Sequence, residues 1–284
     1  MSLELIFLGT GTSSGVPLIG CECPVCRSDD PRDTRTRPGV LLRYPELGVN
    51  GEVPPRHMLI DTTPDLREQA LRHDLRRMDA VLYTHAHADH ILGIDELRRF
   101  NAVMGQPLDI YAEFEVVQRL QSMFSYIFEP QKNINKSFVA QLIPHVLAPG
   151  AVLDLFGARW TPIRLMHGRL PVLGFRIDWM GRSLAYCTDC SRVPPASYPL
   201  LENLDILVID ALRYRHHPTH MTVDQALDVI AAVEPAEAYL THITHDVSHA
   251  ELEAGLPEHV HVPYDGLSIR CQARSAHSDP LERL

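Results

Sequence analysis

Short apolar runs that stop at a histidine or an aspartate govern what this sequence can become. Met58-Leu59-Ile60 meets Asp61, Ala80 to Tyr83 leads into Thr84-His85-Ala86-His87-Ala88-Asp89-His90, Ile206 to Ile209 ends in Asp210, and Ala238 to Leu240 meets Thr241-His242. Brief aliphatic and β-branched runs bounded by polar turns predict short buried strands. Leu3 to Leu8, Val40 to Arg43, Thr161 to Leu165, Gly174 to Trp179 and Ser183 to Cys187 read the same way, with Val262 and Leu267 to Arg270 as closing strands. Between them, helices are predicted over Pro64 to Arg72, Ile91 to Phe100, Glu113 to Phe128, and Thr222 to about Val233. Proline suits the first turn of a helix, and Thr222 with Gln225 forms a capping-box pair. The alternation predicts a layered α/β protein with sheets inside and helices outside. Residues 1–271 read as a single domain and 272–284 as a flexible tail. Gly48 to Pro55 reads as loop, and Gln131 to Pro149 as an irregular segment that covers the site as a lid or rim.

The histidine cluster carries the chemistry. His85, His87, Asp89 and His90 offer imidazole nitrogen and carboxylate oxygen, the donors that suit divalent ions such as zinc or manganese. Alternate positions of one short loop can serve two neighbouring ions. These four residues cannot complete two coordination shells, so further ligands must come from distant segments. His167, Asp189 and His242 each follow a predicted strand, and an aspartate can bridge two ions through its two oxygens. Each also has a purely structural reading, as a hydrogen-bonded histidine or a turn-forming aspartate. Asp61 reads either as the partner of a ligand imidazole's second nitrogen or as an Asx-turn former. His220 lies just upstream of a predicted helix, where a boundary contact is the alternative, and His216 and His217 are close by.

Cys21-Glu22-Cys23-Pro24-Val25-Cys26 places three thiols in one loop. A structural zinc takes four ligands, so a fourth must come from elsewhere: Cys187, Cys190, His245 and Cys271 all qualify. The uneven spacing of the six cysteines does not resemble a secreted disulfide framework and points to a reducing cytoplasm. The N-terminus lacks the flanks of a secretory signal, and no apolar stretch is long enough for a membrane span. The Gly9-Thr10-Gly11-Thr12-Ser13-Ser14-Gly15 turn lacks the Gly-Lys-Ser/Thr of a nucleotide-binding loop and reads as a tight turn beneath a metal site. A formal charge of −10 argues against a coat of long nucleic acid. Two divalent ions would offset that charge locally, leaving small anions as substrates.

These motifs together resemble the metallo-β-lactamase superfamily and, within it, the phosphoribosyl 1,2-cyclic phosphate phosphodiesterases of phosphonate degradation. The resemblance runs from Met1 to about Arg270. It rests on Leu8-Gly9-Thr10-Gly11, Cys21-x-Cys23-x-x-Cys26, Asp61, the 84–90 motif, His167, Thr188-Asp189, His220 and Thr241-His242-Ile243-Thr244-His245. It implies an αββα sandwich with two central mixed sheets. It also implies one ion held by His85, His87 and His167, a second by Asp89, His90 and His242, Asp189 as the bridge, and His245 as fourth ligand of a structural zinc. Catalysis would turn on His220 and Asp89, in a homodimer that hydrolyses a small cyclic phosphodiester. The rival readings are a phosphodiesterase for cyclic nucleotides or RNA ends, a thioester hydrolase or lactamase, and a non-hydrolytic cofactor-biosynthesis or carrier protein. Gly48 to Pro55 and Leu108 to Pro149 look expanded relative to the family.

Overall fold

Strands that are apolar on both faces have to be covered on both faces. The computed structural model, which describes residues 1–46 and 54–274, meets that demand with four layers. The first half contains β1 (Ser2–Gly9), β2 (Gly39–Tyr44), β3 (Arg56–Ile60), α1 (Leu66–Arg72), β4 (Ala80–Leu82), α2 (Ala88–Ile91), α3 (Leu97–Met104), β5 (Leu108–Glu113), α4 (Phe114–Met123), α5 (Ser125–Phe128) and β6 (Leu142–Leu147). The second half contains β7 (Leu153–Leu155), β8 (Ala158–His167), β9 (Leu170–Trp179), β10 (Arg182–Cys187), β11 (Ile206–Asp210), α6 (Val223–Val233), β12 (Glu237–Thr241), α7 (His249–Ala254) and β13 (Val260–His261). The closing strand β14 (Ser268–Gln272) returns to the first sheet beside β1.

Each sheet is mixed. The first runs β14-β1-β2-β3-β4-β5-β6 and the second β13-β12-β11-β10-β9-β8-β7. In both, an antiparallel portion gives way to a parallel one, at β3–β4 and at β10–β11. Alternation along β1 shows how the layers form. Leu3, Leu5 and Phe7 join Trp160, Phe175, Trp179 and Tyr186 in a core between the sheets. Ile6 and Leu8 point the other way, toward α1 and α3, with Leu66, Leu97 and Phe100. The outer face of the second sheet is covered in turn by α6 and α7 through Ala226, Ile230 and Leu252. In the inter-sheet core Trp160 donates to the Tyr44 hydroxyl, which donates to the Leu155 carbonyl, each at 3.0 Å. This is the expected αββα sandwich.

Three expectations change. The helix predicted over Ile91 to Phe100 breaks into α2, a 3₁₀ segment at Leu92–Glu96 and α3. The Gly93 N–H leaves the helical ladder for the Thr62 carbonyl at 2.9 Å. Gln131 to Pro149 holds β6, the outermost strand of the first sheet, where sequence suggested an irregular cover. Residue 272 lies inside β14, and the Ala273 N–H bonds the Met1 carbonyl at 3.0 Å; 275–284 lie outside the described residues. Most of the Gly48 to Pro55 loop, 48–53, also lies outside them. The Thr222–Gln225 capping box is present in both directions. No described helix is long and apolar enough to cross a membrane.

Candidate metal centre

The metal-capable residues collect where strands end, because side chains after the last hydrogen-bonded residue are free to turn over the sheet edge. Thr84 to His90 follow β4, His167 ends β8, Asp189 follows β10, and His242 follows β12. Asp61, Asp189 and His242 have left-handed backbones, with φ of 65°, 50° and 64°. That conformation costs roughly 1–2 kcal/mol for an L-residue, and such strain concentrates at functional sites.

Their donor atoms form two adjoining groups. His85, His87 and His167 make one; Asp89, His90, Asp189 and His242 make the other. Asp189 faces both: its Oδ1 is 3.2 Å from Nε2 of His90 and of His242, and its Oδ2 is 3.9 Å from Nε2 of His85. Asp89 Oδ2 lies 3.3 Å from His90 Nε2 and 3.9 Å from His242 Nε2. Two nitrogens sharing a tetrahedral zinc sit about 3.3 Å apart, so these spacings fit donors converging on ions. Nε2 of His85, His90 and His242 is buried in each case without a hydrogen bond of good geometry. Unsatisfied buried nitrogens are costly, and a cation relieves all three.

Surrounding bonds fix the ring orientations. His90 Nδ1 donates to Asp61 Oδ2 at 2.7 Å. The Thr84 hydroxyl donates to the same Oδ2 at 2.8 Å and accepts from His85 Nδ1 at 2.9 Å. His167 Nδ1 donates to the Thr219 carbonyl at 2.8 Å. Each bond occupies the nitrogen away from the site and leaves Nε2 as a ligand lone pair. Burial drives His85 well below the usual imidazole range and His167 down to about 4, so both favour the neutral form that ligates. Burial alone would raise Asp189, but His242 and His90 outweigh it and keep the carboxylate ionised. Asp61→Ala should weaken metal binding about 10- to 100-fold, as loss of such an orienting partner does. Competition with a fluorescent chelator measures this, and an unchanged affinity would remove Asp61 from the centre.

His220 stands at the edge of the same cluster. Its Nδ1 is 2.6 Å from Asp210 Oδ2, and its ring stacks on His242 at 4.6 Å between centroids. His217 is 5.1 Å from His220, also between centroids. Asp210 was not among the candidates read from sequence, although an aspartate closing an apolar strand repeats the signal that drew attention to Asp61.

A second cluster lies on the neighbouring loop. His245 Nδ1 is 3.3, 3.4 and 3.6 Å from Sγ of Cys21, Cys23 and Cys26. A nitrogen and a sulfur on one tetrahedral zinc are separated by about 3.5 Å. The Cys26 N–H bonds Cys23 Sγ at 3.4 Å and holds that thiol down to about 6. The other formal candidates lie elsewhere: Cys187 and Cys190 are buried under the second sheet, and Cys271 packs at the inter-sheet core. The glycine turn supports this loop, with the Ile243 N–H on the Thr10 carbonyl at 3.0 Å. A Cβ at Gly9 would fall 2.0 Å from the Arg37 carbonyl, so only glycine allows the close approach. Buried Arg35, not singled out in the sequence, donates from Nη1 to the Thr244 carbonyl at 2.8 Å and ties down the other side.

An αββα sandwich with paired ligand groups at its strand ends defines a metal-dependent hydrolase of the metallo-β-lactamase kind. The model of the Beta-lactamase superfamily domain matches residues 56–243. A crystal structure of a diphosphatase from the PhnP family superposes with a TM-score of 0.84 at 40% identity, covering 95% of this chain and 98% of that one. The chain belongs to the PhnP family of the β-lactamase superfamily. An octanoyltransferase of Porphyromonas gingivalis is 38% identical over 269 residues, 93% of this chain. The chain spans only 51% of that relative's length. Coenzyme PQQ synthesis protein B of Methylobacterium nodulans is 26% identical over 226 residues, 73% of this chain and 72% of the relative.

Proposed function

We propose that the protein is a metal-dependent phosphodiesterase acting on a small cyclic phosphodiester, with 5-phosphoribosyl 1,2-cyclic phosphate, opened to ribose 1,5-bisphosphate, as its substrate. The observation that carries this reading is Asp189 presenting one oxygen to each ligand group, with the His220–Asp210 pair beside them. His85, His87 and His167 would hold one divalent ion, Asp89, His90 and His242 the other, and Cys21, Cys23, Cys26 and His245 a structural zinc. Zinc or manganese bound there supplies Lewis acidity toward a phosphoryl oxygen and lowers the pKa of water. Asp189 keeps the two positions in register, and Asp89 with His90 fixes the second. Asp210 holds the His220 ring by Nδ1 and leaves Nε2 toward the cleft; a protonated ring would donate its Nε2 proton to the departing oxygen. Residues 1–271 act as one domain in this reading, on a small phosphate-bearing partner in the cytoplasm, as a homodimer.

His220 also lies within ligand distance of His167 and Asp189. His220→Ala separates the two roles. We expect turnover of the ribosyl 1,2-cyclic phosphate, whose alkoxide leaving group needs a proton, to fall about 10²- to 10⁴-fold with metal content unchanged, and that of bis-p-nitrophenyl phosphate, whose leaving group departs unprotonated, to fall far less. Loss of an ion in this variant would make His220 a ligand, and unaltered turnover would end its role. Faster turnover of the ribosyl 1,2-cyclic phosphate than of 2′,3′-cyclic nucleotides supports the substrate. A fully metallated protein that cleaves thioesters and no phosphodiester would overturn the function. The likeness to a coenzyme PQQ synthesis protein at 26% identity keeps a cofactor-biosynthesis role as the alternative, and the same panel tests it.

A further inference from the structure

Two clefts open beside the candidate metal centre, and they differ in charge. The one against His85 and His87, of about 450 Å³, contains Arg119 and Arg164 but also Glu113 and Glu115. Arg164 is already committed there, with Nη1 2.8 Å from Glu113 Oε2. The other, of about 380 Å³, opens on His220 and is lined by Arg169, Arg192, Ser191, His216 and His217, with no aspartate or glutamate in its wall. Neither Arg169 nor Arg192 forms an ion pair among the described residues. A carboxylate-free wall with two unpaired guanidinium groups is unexpected in a chain of formal charge −10.

The fold brings these arginines together. Arg169 sits on the tight turn between β8 and β9, and Arg192 on the loop after β10. Met166 and Arg192 form an isolated antiparallel bridge, with the Met166 N–H on the Arg192 carbonyl at 3.1 Å. The Gly168 N–H donates to Ser191 Oγ at 2.9 Å, and that hydroxyl donates to the Met166 carbonyl at 3.0 Å. Gly168, at φ 62°, also lets the turn press against the segment leading to His220: a Cβ there would meet Thr219 Cγ2 at 2.9 Å. The arginine-bearing backbone is therefore fixed relative to His167 and His220, while the guanidinium groups stay exposed at the rim.

We propose that Arg169 and Arg192 form a seat for a second, non-scissile phosphate group of the substrate, on the His220 side of the ions. This rests on the phosphodiesterase reading and narrows it to substrates carrying two phosphorus centres. Guanidinium forks match phosphate oxygens in bidentate geometry. Such a phosphate has two sources: the terminal phosphate of a sugar that carries the cyclic diester, or the leaving phosphate of an organic diphosphate.

The test uses the metallated enzyme, Arg169→Ala, Arg192→Ala, the double variant, and Arg192→Lys. Four substrates are compared: bis-p-nitrophenyl phosphate, which has no second phosphate; ribosyl 1,2-cyclic phosphate with and without its 5-phosphate; and an organic diphosphate such as ADP-ribose. Each alanine should lower kcat/KM about tenfold, and the pair about 100-fold, only on the substrate whose second phosphate is seated. Bis-p-nitrophenyl phosphate should stay within twofold of wild type, and lysine should restore part of the loss. The arm that falls identifies the source. Equal losses on bis-p-nitrophenyl phosphate, or no loss on either doubly phosphorylated arm, overturn the seat. Calorimetric titration with ribose 5-phosphate gives a readout apart from turnover. If wild type cleaves no phosphodiester yet binds ribose 5-phosphate about tenfold more tightly than the double variant, the seat stands and the phosphodiesterase reading falls.

Discussion

Asp189→Ala is expected to lower phosphodiester turnover by at least about 10³-fold and to leave the protein unable to retain two active-site ions. The carboxylate faces both ligand groups, so its loss removes a donor from each at once. It also leaves His90 and His242, whose Nε2 atoms are 3.2 Å from its Oδ1, without their nearest anion. A correctly held ion is worth several kcal/mol of transition-state stabilisation, and each 1.36 kcal/mol is a factor of about ten in rate. Metal content by mass spectrometry, read beside turnover, tests the mechanism: two ions retained with full activity would refute the bridging role. Asp189→Asn refines the result. It keeps the shape and one neutral oxygen donor, so it should retain more metal than alanine while still losing most of its rate.

His245→Ala carries the second large effect, and here the first readout is stability. The variant should lose one zinc equivalent and melt about 10 °C lower, because a structural zinc site contributes its binding energy to folding. Turnover should also fall about tenfold although His245 touches no active-site donor. His242 and His245 are three residues apart on one loop, which Thr10 and Arg35 pin on either side. Freeing the thiol end of that loop loosens the end that presents His242. His245→Cys offers zinc a replacement ligand and should recover both zinc and melting temperature. An alanine variant with wild-type zinc and melting temperature would show that the three thiols close their site without His245.

Much of the architecture was legible because it follows from local rules. Leu5 to Leu8 is an unbroken apolar run, which is what burial of both faces by the sheet core and α1 and α3 requires. Thr222 and Gln225 announced the start of α6 because a cap is satisfied within four residues. Misreadings arose where distant partners intervene. Gly93 gives its N–H to Thr62, which splits the helix expected over Ile91 to Phe100. The pattern around Leu142 to Leu147 is half exposed, so an edge strand looked like an irregular loop.

The candidate site divides along the same line. Residue type and spacing alone marked His85, His87, Asp89 and His90, because four donors within six positions need no tertiary information to be close. Spacing left the fourth partner of the cysteine loop open among four residues. Only the packing of the first strand's turn against the loop after β12 brings His245 to the thiols and leaves Cys187, Cys190 and Cys271 elsewhere. Asp210, Arg169 and Arg192 acquire their roles in the same way, from which strand ends lie side by side. Helix caps, strand alternation and donor chemistry are properties of a short stretch of chain and are written in it. The meeting of groups more than two hundred residues apart depends on sheet order, which the whole core decides together.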